Sequence, residues 1–289
     1  MKLPQFDYQA PTSLIEAVAL LMAGKGDARP LSGGQSILPV MAFRLAEPSL
    51  LVDLRNIPDL RAIEVSAAGV RIGAMVRWRD ILDNAQLKDA LPLLPEAVDH
   101  VAHYQVRNRG TIGGSLAHAD PASEMPAVAL ALDAVIEVVG AKGARDIAAA
   151  DLFTGSLSTS LSHDEIIVAV RFPAWPATRR YAFEEFARRR GDFALAGVAT
   201  CYDVDAQGHA KNVRVSALSI ADTPIRLKAA EAAIEGRAID ADAIKAASAA
   251  ASAEVDPAGD IHASARYRKA LVGTLLGRAL TRAAARTAR

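Results

Sequence analysis

Cysteine is nearly missing from this chain: Cys201 is the single one in 289 residues. One thiol closes no internal disulfide and cannot by itself ligate an iron–sulfur cluster. An excess of either charge is missing too, because 33 Lys and Arg balance 33 Asp and Glu. Aromatic residues make up 5% of the chain and no long basic run is interleaved with them, so nucleic-acid binding has no electrostatic footing. No apolar stretch is long enough to span a bilayer. The N-terminal MKLPQFDYQAP lacks the apolar run of a secretory signal, and a cytoplasmic protein is the expectation.

Several signatures are lacking as well. No G-x-x-x-x-G-K-[ST] occurs, so LSGGQ at Leu31–Gln35 is a motif of the ABC-transporter ATPases without its context. No G-x-S-x-G elbow supports a Ser-His-Asp hydrolase. No G-x-G-x-x-G follows a strand, which excludes an ordinary Rossmann dinucleotide fold. His100, His103, His118 and Asp120 could be drawn as a metal site. With no H-E-x-x-H and no cysteine nearby, core or surface histidines are the reading, and no metal is expected.

What is present is ordinary in bulk and specific in two places. The chain is 51% hydrophobic and 23% charged, long enough for a full core and two domains. The stretch RNRGTIGGSLAHADP (Arg107–Pro121) sets Gly113 and Gly114 between Thr111 and Ser115. Paired glycines between hydroxyls read either as a tight turn or as a concave run of free N–H groups suited to phosphate. LSGGQS (Leu31–Ser36) repeats the chemistry, with Gly33 and Gly34 between Ser32 and Ser36. Two such loops can grip a pyrophosphate from opposite sides, which points to a dinucleotide. Asp120 suits a hydroxyl-bearing group better than a phosphate.

Periodicity organises the rest. Phe6–Tyr8, Arg29–Leu31 and Leu50–Leu54 read as strands around helices beginning at Ser13 and Ser36, a β-α-β-α-β unit with a small parallel sheet. The first glycine loop then lies before a helix N-terminus. Gly69–Ala74, Val135–Val139 and Glu165–Phe172 read as strands, and Trp78–Asp83, Leu93–Ala102 and Ala122–Leu132 as helices. Pro173 to Pro176 marks a boundary. Beyond it come three antiparallel strands, Tyr181–Ala187, Ala196–Val204 and Val213–Ile220. The helices Arg226–Glu235, Ala243–Ala253 and Ser264–Ala285 follow, the last with Arg278, Arg282 and Arg286 on a solvated face.

LSGGQSILPVMAFRLAEPSLLVDLRNI (Leu31–Ile57), RNRGTIGGSLAHADPASEMP (Arg107–Pro126) and RRRGDFALAGVA (Arg188–Ala199) together resemble the FAD-binding medium subunit of molybdenum hydroxylases, the xanthine oxidase and carbon monoxide dehydrogenase group. The resemblance spans the whole chain. It implies an α+β protein with a vanillyl-alcohol-oxidase-type (PCMH-type) FAD-binding domain, residues 1–176, in subdomains of about 1–56 and 57–176. A smaller α+β domain, 177–289, would follow, with a three-stranded antiparallel sheet plus helices.

The resemblance assigns FAD to Arg29, Ser32, Gly33, Gly34, Gln35, Ser36, Ile37, Thr111, Gly113, Gly114, Ser115, Asp120, Glu124, Leu161 and Phe193, and no catalytic residue to this chain. Ser32–Ser36 and Thr111–Ser115 would hold the pyrophosphate. Gln35 stands where some members have His, and Phe193 where many have Tyr beside the flavin ring. In such enzymes a large subunit carries the molybdenum cofactor and a small subunit carries [2Fe-2S] clusters. The medium subunit's flavin passes electrons to an external acceptor, within a dimer of heterotrimers. HVAHYQVRNRG leans toward enzymes that hydroxylate aromatic N-heterocycles. A stand-alone flavin oxidase of the same fold and a nucleotide-binding assembly module are the competing readings.

Overall fold

The structure is a computed structural model, and it describes residues 2–286. Three strands, Asp7–Gln9, Leu50–Asp53 and Ala28–Leu31, form a parallel sheet in that spatial order. The helix Leu14–Ala23 crosses between the first two in sequence. Ser13 Oγ accepts from Glu16 N at 3.2 Å, while the Glu16 carboxylate reaches back to Thr12 N at 3.1 Å. Asp53 is buried at the sheet's end, where Tyr8 Oη and the Arg55 guanidinium donate to it at 2.7 and 2.6 Å.

A five-stranded antiparallel sheet follows, in the order Ile63–Ser66, Gly69–Gly73, Ile166–Pro173, Val135–Gly140, Gly143–Ala148. Its outer strands were not anticipated from the sequence. Both expose most of their side chains: Ile63–Ser66 alternates over only four residues, and Gly143–Ala148 does not alternate. Short helices, including Trp78–Asp83, Ala85–Ala90 and Leu93–Val98, pack over this sheet.

The C-terminal sheet has four strands rather than the expected three: Arg180–Phe186, Ala196–Val204, Ala210–Leu218 and the two-residue Ile225–Arg226. Arg226 was read as the start of a helix, which instead runs Lys228–Ile234. Alternation places the sheet between two cores. Tyr181, Phe183, Ala199 and Cys201 face the preceding domain, while Ala182, Val198 and Tyr202 face the helices Ala241–Glu254 and Ala265–Ala284.

Between the two domains lies the helix Glu124–Ala131, EMPAVALA, whose eight residues are all buried. A helix apolar all round has no face to offer solvent, and burying each Val, Leu or Met contributes about 1.5–3 kcal/mol. Ser216 Oγ donates to Ala127 O at 2.7 Å and Cys201 Sγ to Ala131 O at 3.8 Å, fastening the C-terminal sheet to it.

The arginine face of the last helix is only partly solvated. Arg278 is exposed, but Arg282 pairs with Glu96 and, at 2.6 Å, with Glu184. Arg286 pairs with Glu96 and stacks on Tyr181. No helix among the described residues is long and apolar enough to cross a membrane.

Candidate cofactor site

The two glycine motifs meet. Ser32 Oγ and Thr111 Oγ1 share a hydrogen bond of 2.6 Å, and Ser32 Oγ also donates to Met75 Sδ at 2.9 Å. Gly33 is bare for a packing reason: a Cβ there would run into the Arg109 carbonyl and the Cα of Gly110. Gly34 has φ +73°, in the left-handed region that favours glycine. Among the described residues, the backbone N–H groups of Gly33, Gly34, Gln35 and Ser36 have no acceptor. Gln35 Nε2 folds back onto Gly33 O at 3.1 Å. Ser36 caps the helix Ile37–Ala42 without a side-chain bond, and Ile37 packs on Leu31, Met41 and Leu51.

The second motif corrects the reading of it as a loop with free amides. Ile112–His118 is a helix, with Thr111 as its N-cap. Ile112 N donates to Val76 O, Gly113 N to Ala74 O, Gly114 N to Thr111 Oγ1 and Ser115 N to Thr111 O, all at 3.0–3.1 Å. Gly113 is bare because its Cβ would sit 2.5 Å from Ala74 Cβ. At Gly114 a Cβ would lie 2.8 Å from Thr111 Oγ1 and 3.6 Å from Ser32 Oγ, in the space between the motifs.

Positive charge lines this junction. A cavity of about 190 Å³ is bounded by Ser32, Gly33, Thr111, Met75, Asn108 and four arginines, Arg55, Arg61, Arg77 and Arg109. Asp53 and Asp80 pair with Arg55 and Arg77, whereas Arg109 has no acidic partner among the described residues. Sequence reasoning gave none of the four a role. Arg109 and Arg55 lay in quoted stretches, and Arg61 and Arg77 lie outside them.

Beyond the second motif the backbone is strained. Ala119, Leu157 and Ser219 have φ of +50°, +55° and +62°. Leu157 N donates to Ala119 O at 3.1 Å and Ser219 N to Pro121 O at 2.8 Å. Such residues cost on the order of 1–3 kcal/mol each and concentrate at ligand sites. Asp120 Oδ1 accepts from Ala122 N at 2.9 Å, and Ser115 Oγ meets Ser123 Oγ at 2.8 Å.

Ser219 Oγ donates to Ala194 O at 2.5 Å, and buried Arg268 donates to Leu195 O at 2.6 Å and Ser219 O at 3.0 Å. These bonds tie the loop of Phe193 to the Asp120 segment. Phe193 is 72% exposed. Leu161 packs on the main core, next to Ser160, whose Oγ is buried without a partner. Arg29 is not brought to the junction: its Nη1 turns back to Gly26 O at 2.7 Å.

Glu124 begins the buried helix. Burial, then the charge of Asp120, pushes its carboxyl up to about 7 against a hydrogen bond from its own backbone. Glu185, which the sequence reading missed, has a buried Oε2 without a partner. Burial and the Glu124 charge push it up to about 9. The available signal was alternation, since Glu185 falls on the face of Tyr181 and Phe183. His100 stacks edge-on against Phe183, with ring centroids 5.1 Å apart, and burial lowers its pKa. Among the described residues no group of three or more His, Cys, Asp or Glu could hold a metal.

Free amides, hydroxyls, an open Cα and arginines fit a pyrophosphate. Comparison with known proteins points the same way. The family described as "FAD binding domain in molybdopterin dehydrogenase" matches residues 4–175, and "CO dehydrogenase flavoprotein C-terminal domain" matches residues 181–283. The nicotine 6-hydroxylase medium subunit of Paenarthrobacter nicotinovorans is 42% identical over 287 residues, covering 99% of this chain and 100% of that one. Carbon monoxide dehydrogenase from Hydrogenophaga pseudoflava, in a form lacking the Mo-pyranopterin moiety of the molybdenum cofactor, superimposes with a TM-score of 0.95 at 41% identity over 98% of each chain. Quinoline 2-oxidoreductase from Pseudomonas putida 86 does so with a TM-score of 0.93 at 38% identity, again over 98% of each.

Proposed function

This chain belongs to the family of FAD-binding medium subunits of molybdenum hydroxylases, and from that premise we propose that it is the electron relay of a heterotrimer. Bound FAD would supply the redox chemistry linking [2Fe-2S] clusters on a small subunit to an external acceptor. The electrons originate at a molybdenum cofactor on a large subunit, where the substrate, an aromatic N-heterocycle, is hydroxylated. The assembly is a dimer of heterotrimers in the cytoplasm. We assign the cofactor domain to residues 1–176 and the second domain to 177–289, of which Met1 and residues 287–289 lie outside the described residues.

The observation that carries this reading is the Ser32–Thr111 contact, which turns two distant motifs into one site. The amides of Gly33–Ser36, with the Ser32, Ser36, Thr111 and Ser115 hydroxyls, hold the pyrophosphate. Gly113 seats the helix on Ala74, and Gly114 keeps the space between the motifs open. Asp120 and Glu124 hold hydroxyls of the cofactor, Phe193 covers the ring, and Leu161 and Ile37 exclude water. Cys201 takes no part, being buried, with its thiol pushed up to about 11 by burial.

The test is anaerobic stopped-flow absorbance of the flavin. The isolated chain loaded with FAD should not be reduced by quinoline or nicotine, yet should pass electrons from dithionite to an artificial quinone. In the co-purified complex, its own heterocycle should reduce the flavin. Fast reduction of the isolated chain by a heterocycle would favour a stand-alone oxidase, and FMN or no flavin in the native complex would end the reading.

A further inference from the structure

Phe193 is mostly exposed, yet the loop that carries it is fixed on both sides. Before it, Gly191 has φ +88°, and a Cβ there would lie 2.4 Å from the His103 ring and 2.7 Å from Ala102 O. Arg190 pairs with Asp99. After it, Ala194 O accepts from Ser219 Oγ at 2.5 Å, and Leu195 O accepts from Arg268 Nη1 at 2.6 Å. An aromatic ring left in water gains nothing for itself from such tethering. A ring set in advance loses less freedom when a flat ligand meets it.

One guanidinium governs the second tether. Arg268, near the start of the helix Ala265–Ala284, is 6% exposed. Its Nη1 also reaches Ser219 O at 3.0 Å and Ser219 Oγ at 3.2 Å, and its Nη2 donates to Asp260 Oδ2 at 2.7 Å. Asp260 is held in turn by His262 N and Ala263 N, which donate to its Oδ1 at 2.8 and 2.9 Å. Ser219 has φ +62°, and its N donates to Pro121 O at 2.8 Å, one residue past Asp120. A non-glycine residue keeps that conformation only where its surroundings hold it, and Arg268 bonds both of its oxygens. The bonds run without a break from Asp260 through Arg268 and Ser219 to Pro121, with Ala194 and Leu195 on a branch. Burying a cation is costly. What the cation secures here is the placement of the Phe193 loop against the Asp120 segment.

We propose, resting on the FAD reading, that Arg268 is a positioning residue for the flavin. It sets the Phe193 loop against the Asp120 segment so that the Phe193 ring covers the isoalloxazine. Without it the flavin lies open to water while the pyrophosphate grip of the glycine motifs stays intact.

The test is collisional quenching of flavin fluorescence by iodide in the FAD-loaded full chain. Wild type should shelter the flavin, and Phe193→Ala should expose it. Arg268→Met puts apolar packing in place of the guanidinium, a change that buried sites often tolerate. It should raise the quenching constant to the Phe193→Ala value, while the FAD dissociation constant changes less than about tenfold. Combining Arg268→Met with Phe193→Ala should expose the flavin no further than Phe193→Ala alone, because Arg268 acts through that ring. Ser219→Gly suits the backbone angle and removes the bond to Ala194 O. It should expose the flavin too, and it decides the matter if Arg268→Met does not fold. A flavin still sheltered in the folded Arg268→Met chain, additive effects in the double variant, or a Phe193→Ala flavin as sheltered as wild type overturns the proposal and leaves the FAD site standing. Absence of FAD binding by the wild type overturns both.

Discussion

In the first motif the backbone amides from Gly33 to Ser36 have no acceptor among the described residues, whereas in the second those from Ile112 to Ser115 all have one. The first is a turn whose Gly34 adopts a positive φ, and the second is the opening turn of a helix held by the Thr111 cap. Paired glycine between hydroxyls is therefore one signature with two physical uses. In the first motif it exposes amides and lets Gly33 lie against Arg109. In the second it lets a helix sit on Ala74 and keeps a gap in front of Ser32.

The comparison breaks most visibly at Gly33. Gly33→Ala drives a methyl into the Arg109 backbone, which cannot rotate away, and should cost about 3 kcal/mol, the upper range for overpacking. Thermal unfolding should show a loss of several degrees together with loss of FAD. An unchanged melting temperature would mean the two motifs do not touch.

Gly114→Val should act on the ligand instead. Its side chain enters the gap between Thr111 and Ser32, so FAD affinity should fall about a hundredfold, or roughly 2.7 kcal/mol, while the stripped chain should lose no more than the Thr111 cap contributes, about 1 kcal/mol. Equilibrium dialysis measures the first and calorimetry the second. Full retention of FAD would place the cofactor elsewhere.

Asp120 and Asp205 sharpen the contrast further, because both carboxylates cap turns. Asp120 Oδ1 accepts one backbone N–H and Asp205 Oδ1 accepts two. Asp205→Ala should therefore cost more stability, and Asp120→Ala more FAD affinity, about tenfold to a hundredfold for a lost charged hydrogen bond. Equal affinities in the two variants would remove Asp120 from the site.

The smallest effect is expected at the cap. Thr111→Val keeps the shape but takes away the acceptor for Gly114 N and the partner of Ser32 Oγ. About 1 kcal/mol of stability should go, seen in urea unfolding, with a smaller change in FAD affinity than Gly114→Val gives. A larger affinity loss than at Gly114 would show that the Thr111 hydroxyl, rather than the gap, binds the cofactor.

These uses were unequally legible in the sequence. The β-α-β-α-β start was readable because LLVDL is an apolar run, Ser13 and Glu16 mark the start of the first helix, and Gly24 and Gly26 mark its end. The helix at Ile112 was not, since glycine is a poor helix former and what fixes this helix, its seat on Ala74, is tertiary. The strands Ile63–Ser66 and Gly143–Ala148 were hidden by exposure on both faces. Arg282 and Arg286 read as solvated because their partner, Glu96, lies far away in sequence. Of the candidate site, the motifs were legible from local pattern. The arginine cavity depends on which segments fold together, which no local pattern carries.

Cys201 offers a different use of the same architecture. Its thiol is buried where the C-terminal sheet meets the helix Glu124–Ala131, bonded to Ala131 O, and held protonated by burial. An alkylating reagent reaches it only when the sheet lifts off that helix. As the chain's single cysteine, it is a built-in clock for that separation: the rate at which one mass label is taken up counts the openings of the seam on which the Phe193 loop is hung. Cofactor loading and partner assembly can each be timed by how far they slow it.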